Sequence, residues 1–525
     1  MIRRATQTPD YWGKTFSIAG SDLEYLLNSF MEDELPRSGD ELALEVMRYR
    51  CQREETAISR ELAKGKLFQP KQHYELGDCL VFPALEYAVG EVATVRPGMN
   101  PEYGAFNVLG VRLEADARVR EFACDFPYPH RLNEDIVEAA GGESADLRSP
   151  EELHAAYGTG ICDKLVAKLQ GSGDFVCLFG KWFPRTLLAE LNIGHLNLAE
   201  AVLDMAGGGP LPAEVLLEDV GLPIEINPHL QEFSLNYALS RDERFDEVGA
   251  TGEVLWFLRR LEPPEALFPP KRLMARAVPY RRDVLDEMLL GVERELDDEY
   301  SNLPPAGEDG GEHSWVLTYP HRRVGSLPLS QSIARLFPSG RTQRIRFLFE
   351  DARSGKRWPG WVVHEHHFAF GLDTWYEANE MPVGAHIQLR RSDEAGVVSV
   401  DWRGRRPKRE WVRVAVPKED GLSFEMLTRQ VSCEYDDLMV IWVDDLSAID
   451  ALAQRKEIAN GSITDLIRQI FPRLAKLSPQ GTVHAKTLYS AINLLQRVAP
   501  GPLFAQVMQS SFLRPVGNGY WVWGE

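Results

Sequence analysis

Hydrophobic residues recur at helical spacing early in the chain. Leu23, Leu26, Leu27 and Phe30 follow Ser21 or Asp22 as a cap; after a turn at Pro36-Arg37-Ser38-Gly39, Asp40 caps a run through Leu42, Val46 and Met47. Two helices joined by a polar turn predict a helix-turn-helix-like unit over residues 1–66, or a plain helical hairpin. The period then drops to two. Residues 74–82, 89–95 and 106–113 read as short strands around the turn-forming Arg96-Pro97-Gly98, which predicts a small SH3-like β-barrel over residues 67–127. Residues 128–160, containing Gly141-Gly142, read as a linker.

Helical spacing returns in residues 161–270, at Leu187, Leu188 and Leu191, then from Leu196 to Met205 and from Ala213 to Val220. Gly207-Gly208-Gly209 and Gly221 close the latter two runs. A further helix at Phe233 to Leu239 precedes a Gly-turned hairpin over residues 244–256. Residues 271–312 hold an acidic helix and then a flexible linker rich in Pro and Gly. Residues 313–415 are β-rich, with strands at 315–319, 344–350, 361–364, 386–390 and 397–402 and a helix-compatible run from Leu329 to Phe337. Residues 416–458 form an α/β connecting segment. Residues 459–525 combine three helical runs with a hairpin over 512–523, turned at Asn518-Gly519. The pattern is that of an α+β multidomain protein.

Two resemblances sharpen this reading. In residues 313–415 a strand precedes a small helix, then a charged hairpin, Gly371 to Trp375, and a strand through Ile387 and Leu389. That order resembles the plant-type DNA-binding pseudobarrel, shared with the effector-recognition domain of some restriction endonucleases. The hairpins at 244–256 and 512–523 share Val-Gly, a turn Gly and a Trp on the return strand. With the helices before them they resemble the winged-helix module of the RNA polymerase delta subunit, also found fused to restriction enzymes. The fold expected is therefore a small β-barrel, a DNA-binding pseudobarrel and two winged-helix domains, at residues 161–270 and 459–525.

Charge separates these modules. The chain carries 58 Lys and Arg against 78 Asp and Glu, a formal net charge of −20, yet residues 315–413 hold 17 basic and 10 acidic residues. A local reversal of that size marks a phosphate-facing surface, or else a solvated strand connection at Arg403, Arg405, Arg406, Lys408 and Arg409. The first winged helix is acidic, with 8 basic and 15 acidic residues over 161–261, and is expected to meet a protein partner. The second, with 6 basic and 2 acidic residues over 461–525, stays a candidate for double-stranded DNA. In the pseudobarrel family, loops at the strand ends enter the major groove, which implicates Arg322, Arg323, Arg341, Arg344, Lys356, Arg357 and Trp358. The second winged helix adds Lys486, Arg497 and the wing residue Arg514.

Other chemistry is sparse. No apolar run approaches the ~18 residues of a membrane span. Six cysteines lie scattered without a C-x-x-C pair, which suits a reducing cytoplasmic compartment. His364-Glu365-His366-His367 on a strand would split its ligands between two faces, so no metal site or cofactor is expected. Asp436-Asp437 and Asp444-Asp445 flank an apolar strand as in metal-dependent nucleases, but no Glu-x-Lys follows on a strand. The sequence thus points to a non-catalytic DNA-binding protein of regulation or defence. The alternatives are an interaction scaffold in transcription or restriction-type defence, and a nuclease with a diverged site at residues 436–445.

Overall fold

A computed structural model describes residues 4–114, 119–134, 147–223, 225–304 and 311–524. The chain is a mixed α+β protein that folds as two compact units, Met1–Leu191 with Leu222–Tyr237, and Asn192–Gly221 with Ala238–Glu525. The Gly141-Gly142 stretch of the expected first linker, and most of the second, lie outside the described residues.

In the first unit, helix α1 (Gly20–Asp33) leads through a two-residue strand β1 (Arg37–Ser38) to helix α2 (Gly39–Leu62). A capping box starts α2: the Glu41 amide donates to Ser38 Oγ at 3.2 Å, and the Ser38 amide donates to the Glu41 carboxylate at 2.7 Å. Five strands follow as an antiparallel meander behind a parallel first pair: β2 (Lys66–Leu67), β3 (Cys79–Phe82), β4 (Ala88–Pro97), β5 (Asn107–Leu113) and β6 (Val119–Cys124). They curl over Phe68, Leu80, Val92, Leu109 and Val111.

Where a linker was expected up to residue 160, a 23-residue helix α3 begins at Pro150 and runs to Ser172. Ser149 and Glu152 cap it, and Leu153, Ile161, Leu165 and Leu169 form its buried stripe. It packs along α2 and leads into the hairpin β7 (Phe175–Leu178) and β8 (Lys181–Pro184). β1 pairs with β8, giving the order β1-β8-β7. The five-stranded barrel is therefore an insertion into one helix-strand-helix-helix-hairpin assembly, with Trp12, Phe30 and Phe183 in its core.

The second unit opens with helices α4 (Ile193–Met205) and α5 (Ala213–Val220). Helix α6 (Pro228–Leu239), which belongs to the first unit up to Tyr237, comes next in the chain, and the second unit resumes with strands β9 (Phe245–Glu247) and β10 (Trp256–Leu258) and helix α7 (Glu287–Leu296). A single bridge joins Leu211 to Trp256.

Seven strands then form one sheet: β11 (Glu312–Val316), β12 (Ser326–Pro328), β13 (Arg344–Asp351), β14 (Arg357–Val363), β15 (Phe368–Phe370), β16 (His386–Arg391) and β17 (Val397–Trp402). Their order is β11-β16-β17-β13-β14-β15-β12, with β13 and β17 parallel. Short helices α8 (Tyr319–Val324) and α9 (Asp373–Ala378) accompany it. The small helix thus sits at α8, directly after the expected strand at 315–319, and Leu329 to Phe337 holds only a 3-10 turn, Ala334–Leu336.

The β-structure also continues past residue 415. Strands β18 (Gly404–Lys418) and β19 (Gly421–Cys433) form a long hairpin, and the two-residue β20 (Trp442–Val443) adds to β18. Val412, Val414 and Val431 enter the core of the seven-stranded sheet, while Ala415, Leu422 and Phe424 enter the C-terminal core. One hairpin thereby ties two cores together.

Helix α10 (Leu446–Ala453) precedes the C-terminal assembly: α11 (Ile463–Ala475), β21 (Thr482–His484), α12 (Ala485–Ile492), α13 (Pro500–Gln509), β22 (Leu513–Gly517) and β23 (Tyr520–Trp523). Its sheet order, β21-β23-β22, repeats the plan of β1-β8-β7. Asn518 and Gly519 take φ of 54° and 76° in the connecting turn, the left-handed pair that suits a two-residue hairpin. No helix among the described residues is long and apolar enough to cross a membrane.

Candidate nucleic-acid interface

The ten basic and aromatic residues expected to meet DNA fall into four places. Arg341 and Arg344 face the acidic hairpin β9–β10 of their own unit. Arg344 pairs with Asp246 and lies 3.4 Å from Glu262; Arg341 Nη1 donates to the Glu253 carbonyl at 2.6 Å. The backbone joins here as well, the Arg346 amide donating to the Val248 carbonyl at 3.0 Å and the Thr251 amide to Ser339 at 2.7 Å. Several carboxylates of this acidic module are thus paired inside the chain. Asp242 pairs with Arg244 at 2.7 Å. Burial, with Asp246 adding to it and Arg344 opposing, pushes the Glu262 carboxyl up to about 8.

Arg322 and Arg323 lie on α8, at a cleft rather than at an outer loop. Arg322 Nε donates to the Met381 carbonyl at 2.9 Å and its guanidinium sits 5.8 Å from the Tyr376 ring centre. Arg323 holds Asp450 at 2.7 Å.

The C-terminal assembly turns its charges inward. Arg497, with 3 % of its side chain exposed, contacts Asp298 at 2.7 Å and Glu299 at 2.8 Å. Tyr489 and Asn493 complete that buried cluster, so Arg497 is out of reach of an external phosphate. Lys486 bridges Glu295 at 2.6 Å and Asp436 at 3.0 Å. Helix α13 is buried along most of its length, leaving Met508 and Gln509 exposed. A helix so covered cannot enter a groove. Of the three expected contacts here, Arg514, on β22, is exposed and has no ion pair among the described residues.

At the β13–β14 turn the picture is mixed. Arg357 clamps Glu350 at 2.6 Å and Glu394 at 2.7 Å. Trp358 donates to the Gly371 carbonyl at 2.7 Å and stacks on Phe349 and Trp375. Lys356 is exposed and has no ion pair among the described residues.

Next to this turn lies the surface that the sequence reading set aside as a strand connection. Arg353 Nε donates to Asp401 at 2.6 Å, and its guanidinium lies 4.5 Å from the Trp402 ring centre, pinning the turn to the end of β17, just ahead of β18. A register shift between Gly404 and Lys408 lifts Arg405, Arg406 and Pro407 out of the β18–β19 ladder. Arg405 is held by Glu410 and packs on Tyr435; Lys408 lies 3.7 Å from Glu410. Arg406 and Arg409 are exposed with no ion pair among the described residues. Arg409 and Trp411 share one face of β18, and Trp411 is 67 % exposed. The signal in the sequence was Trp411-Val412-Arg413-Val414, whose alternation marks a strand that begins in the basic run before it.

The remaining candidates take local roles. His364–His366 form a 3-10 turn rather than a strand, and His364 Nε2 lies 3.0 Å from the Pro338 carbonyl oxygen. No group of three metal-ligating side chains occurs among the described residues. The Asp436 carboxylate accepts from the amides of Leu438 and Met439 and from Lys486, Asp444 pairs with Arg429 at 2.6 Å, and Asp445 caps α10. These carboxylates serve separate bonds and bring no support to a two-metal nuclease site. Comparison with known family models, curated proteins and solved structures finds no match to this chain.

Proposed function

We propose that the chain is a DNA-binding protein whose contact surface is the exposed basic stretch of β18 together with the β13–β14 turn. The observation that carries this is the residue set left over once internal ion pairs are drawn. Most basic side chains of residues 315–413 hold carboxylates or carbonyls; Lys356, Arg390, Arg391, Arg406 and Arg409 are exposed with no ion pair among the described residues, and of these Arg409 shares its strand face with the exposed Trp411. Uncompensated cations next to an exposed aromatic ring suit phosphate contact plus stacking.

The fold expectations support the same reading. Seven strands with two short helices suit the pseudobarrel resemblance, and the helix-strand-helix-helix-hairpin plan suits winged helices at residues 463–523, as expected, and at 20–184 rather than at 161–270, which divide between the two units. On this reading the pseudobarrel is the scaffold and the winged helices are structural modules. An exposed Trp beside Arg favours unpaired bases, so a second reading has single-stranded DNA as the ligand.

Fluorescence anisotropy with labelled duplex and single-stranded oligonucleotides tests this. Arg406→Ser with Arg409→Ser should weaken binding by about 1–3 kcal/mol. Trp411→Ser should weaken single-stranded binding by a similar amount and duplex binding less. Unchanged affinity in the double Arg variant would reject the surface.

A further inference from the structure

We infer that the second unit holds a nucleotide-binding site at Arg322, independent of the DNA surface proposed above. Two cavities meet at this residue. The larger, of about 1080 Å³, is lined by Lys271, Arg272, Arg276, Arg322, Arg323 and Arg497 among others. The smaller, of about 510 Å³, is lined by Tyr319, Met381, Pro382, Ile441 and Trp442. Arg322 and Leu446 line both. The larger space sets its six cations against the carboxylates of Glu265, Asp373, Glu377 and Asp450, a net positive lining, and the smaller is mostly apolar and aromatic.

The cations of the larger space are not equally engaged. Arg272 and Arg323 share Asp450, and Arg497 belongs to the buried cluster with Asp298 and Glu299. Lys271 is exposed with no ion pair among the described residues, and Arg276 makes only a 3.5 Å contact to the Gly461 carbonyl. Arg322 is the centre. It is half-buried, its Nε is taken by Met381, and its terminal nitrogens find no acceptor among the described residues. Burial pulls its guanidinium below the ordinary arginine range. A cation in that position, with donors free, is completed by an anion.

Tyr319 provides a second, independent sign. It is 1 % exposed, lines the smaller cavity, and its hydroxyl is buried with no hydrogen-bond partner. In the larger cavity the Gln496 side-chain oxygen is likewise buried and unpartnered. Orphan polar groups in cavity walls call for a ligand with its own donors and acceptors. A nucleotide meets every requirement: phosphates on Arg322, Lys271 and Arg276, and a planar base against Trp442 with its edge near Glu380 and Gln430, which also line that space. The combined space suits a ligand of that size.

Isothermal titration of the full chain with ATP, tripolyphosphate and adenosine tests this. ATP should bind at least ten-fold more tightly than either fragment. Arg322→Gln should weaken ATP at least ten-fold, as should Lys271→Ala with Arg276→Ala, which changes exposed groups and keeps the test valid if the first variant misfolds. Trp442→Leu should weaken ATP several-fold and leave tripolyphosphate unchanged. Duplex DNA affinity should be unaffected by Arg322→Gln, which separates failure here from failure of the DNA surface. Equal affinity for tripolyphosphate and ATP would overturn the nucleotide assignment in favour of a plain polyanion site. Absence of ATP binding, or ATP affinity unchanged in both basic variants, would overturn the site altogether.

Discussion

Replacing Arg497 by Met removes the one guanidinium that two buried carboxylates share. Arg497 Nη2 lies 2.7 Å from Asp298 and 2.8 Å from Glu299, and Nη1 donates to the Val498 carbonyl at 3.0 Å. Glu299 also meets His321, 3.3 Å away, whose other ring nitrogen faces Ser326 at 2.8 Å. The cluster therefore links α8, residues 298–299 and the segment between α12 and α13. Burial would raise the Glu299 pKa, but Arg497 and His321 hold it below the ordinary carboxylate range. Deleting the cation leaves negative charge buried without compensation, at a cost of about 3–5 kcal/mol. Neutralising the whole set, with Arg497→Met, Asp298→Asn and Glu299→Gln together, should recover most of that loss because no buried charge is then orphaned. A chain of several modules need not unfold in one step, so hydrogen exchange of peptides from α12 and α13 is the appropriate assay. Loss of less than about 1 kcal/mol of protection in Arg497→Met, or a triple variant no better than the single one, would refute the reasoning.

Glu262→Gln tests the acidic hairpin. Its raised pKa means that the stability contribution is full below pH 4.5 and is lost progressively as pH rises to about 8. Above that range the variant should exceed wild type by on the order of 1–3 kcal/mol, and thermal unfolding at pH 5 and pH 9 shows whether it does. Arg344→Gln should lower thermal stability by orphaning Asp246 and Glu262 while leaving DNA affinity unchanged; a change in affinity alone would restore Arg344 to the contact surface. Gly519→Ala should cost about 1–2 kcal/mol, measured by urea unfolding. It places a Cβ 2.5 Å from His484 Nε2 at a φ of 76°.

Much of the fold was legible because the decisive signals were local. Asn518-Gly519 announced its hairpin, Gly221 closed α5 at the expected residue, and the alternation at residues 344–350 and 386–390 marked β13 and β16. The N-terminal assembly was not legible because α2 and α3 are separated by an inserted barrel, and periodicity carries no information about which distant segments pack together. Helix α3 was hidden further by the Gly- and Ser-containing stretch before it, although Ser149 and Glu152 carry a capping-box signature. At the candidate site the charge reversal of residues 315–413 marked a basic region, but net charge does not tell which cations already face carboxylates. Arg344 and Arg497 look like Arg406 in a sequence, and only packing distinguishes them.

The central claim is that phosphate is met by Lys356, Arg406 and Arg409, exposed and without an ion pair among the described residues on the β13–β14 turn and β18. It is tested most directly by the salt dependence of duplex binding in the full chain. If these three residues contact phosphate, replacing all three by Ser should reduce the slope of log affinity against log salt by about 2–3, through lost counterion release. Replacing Arg341 and Arg344 by Gln should leave the slope unaltered. A slope unchanged in the triple variant, or reduced equally by the Arg341 and Arg344 changes, would contradict the account.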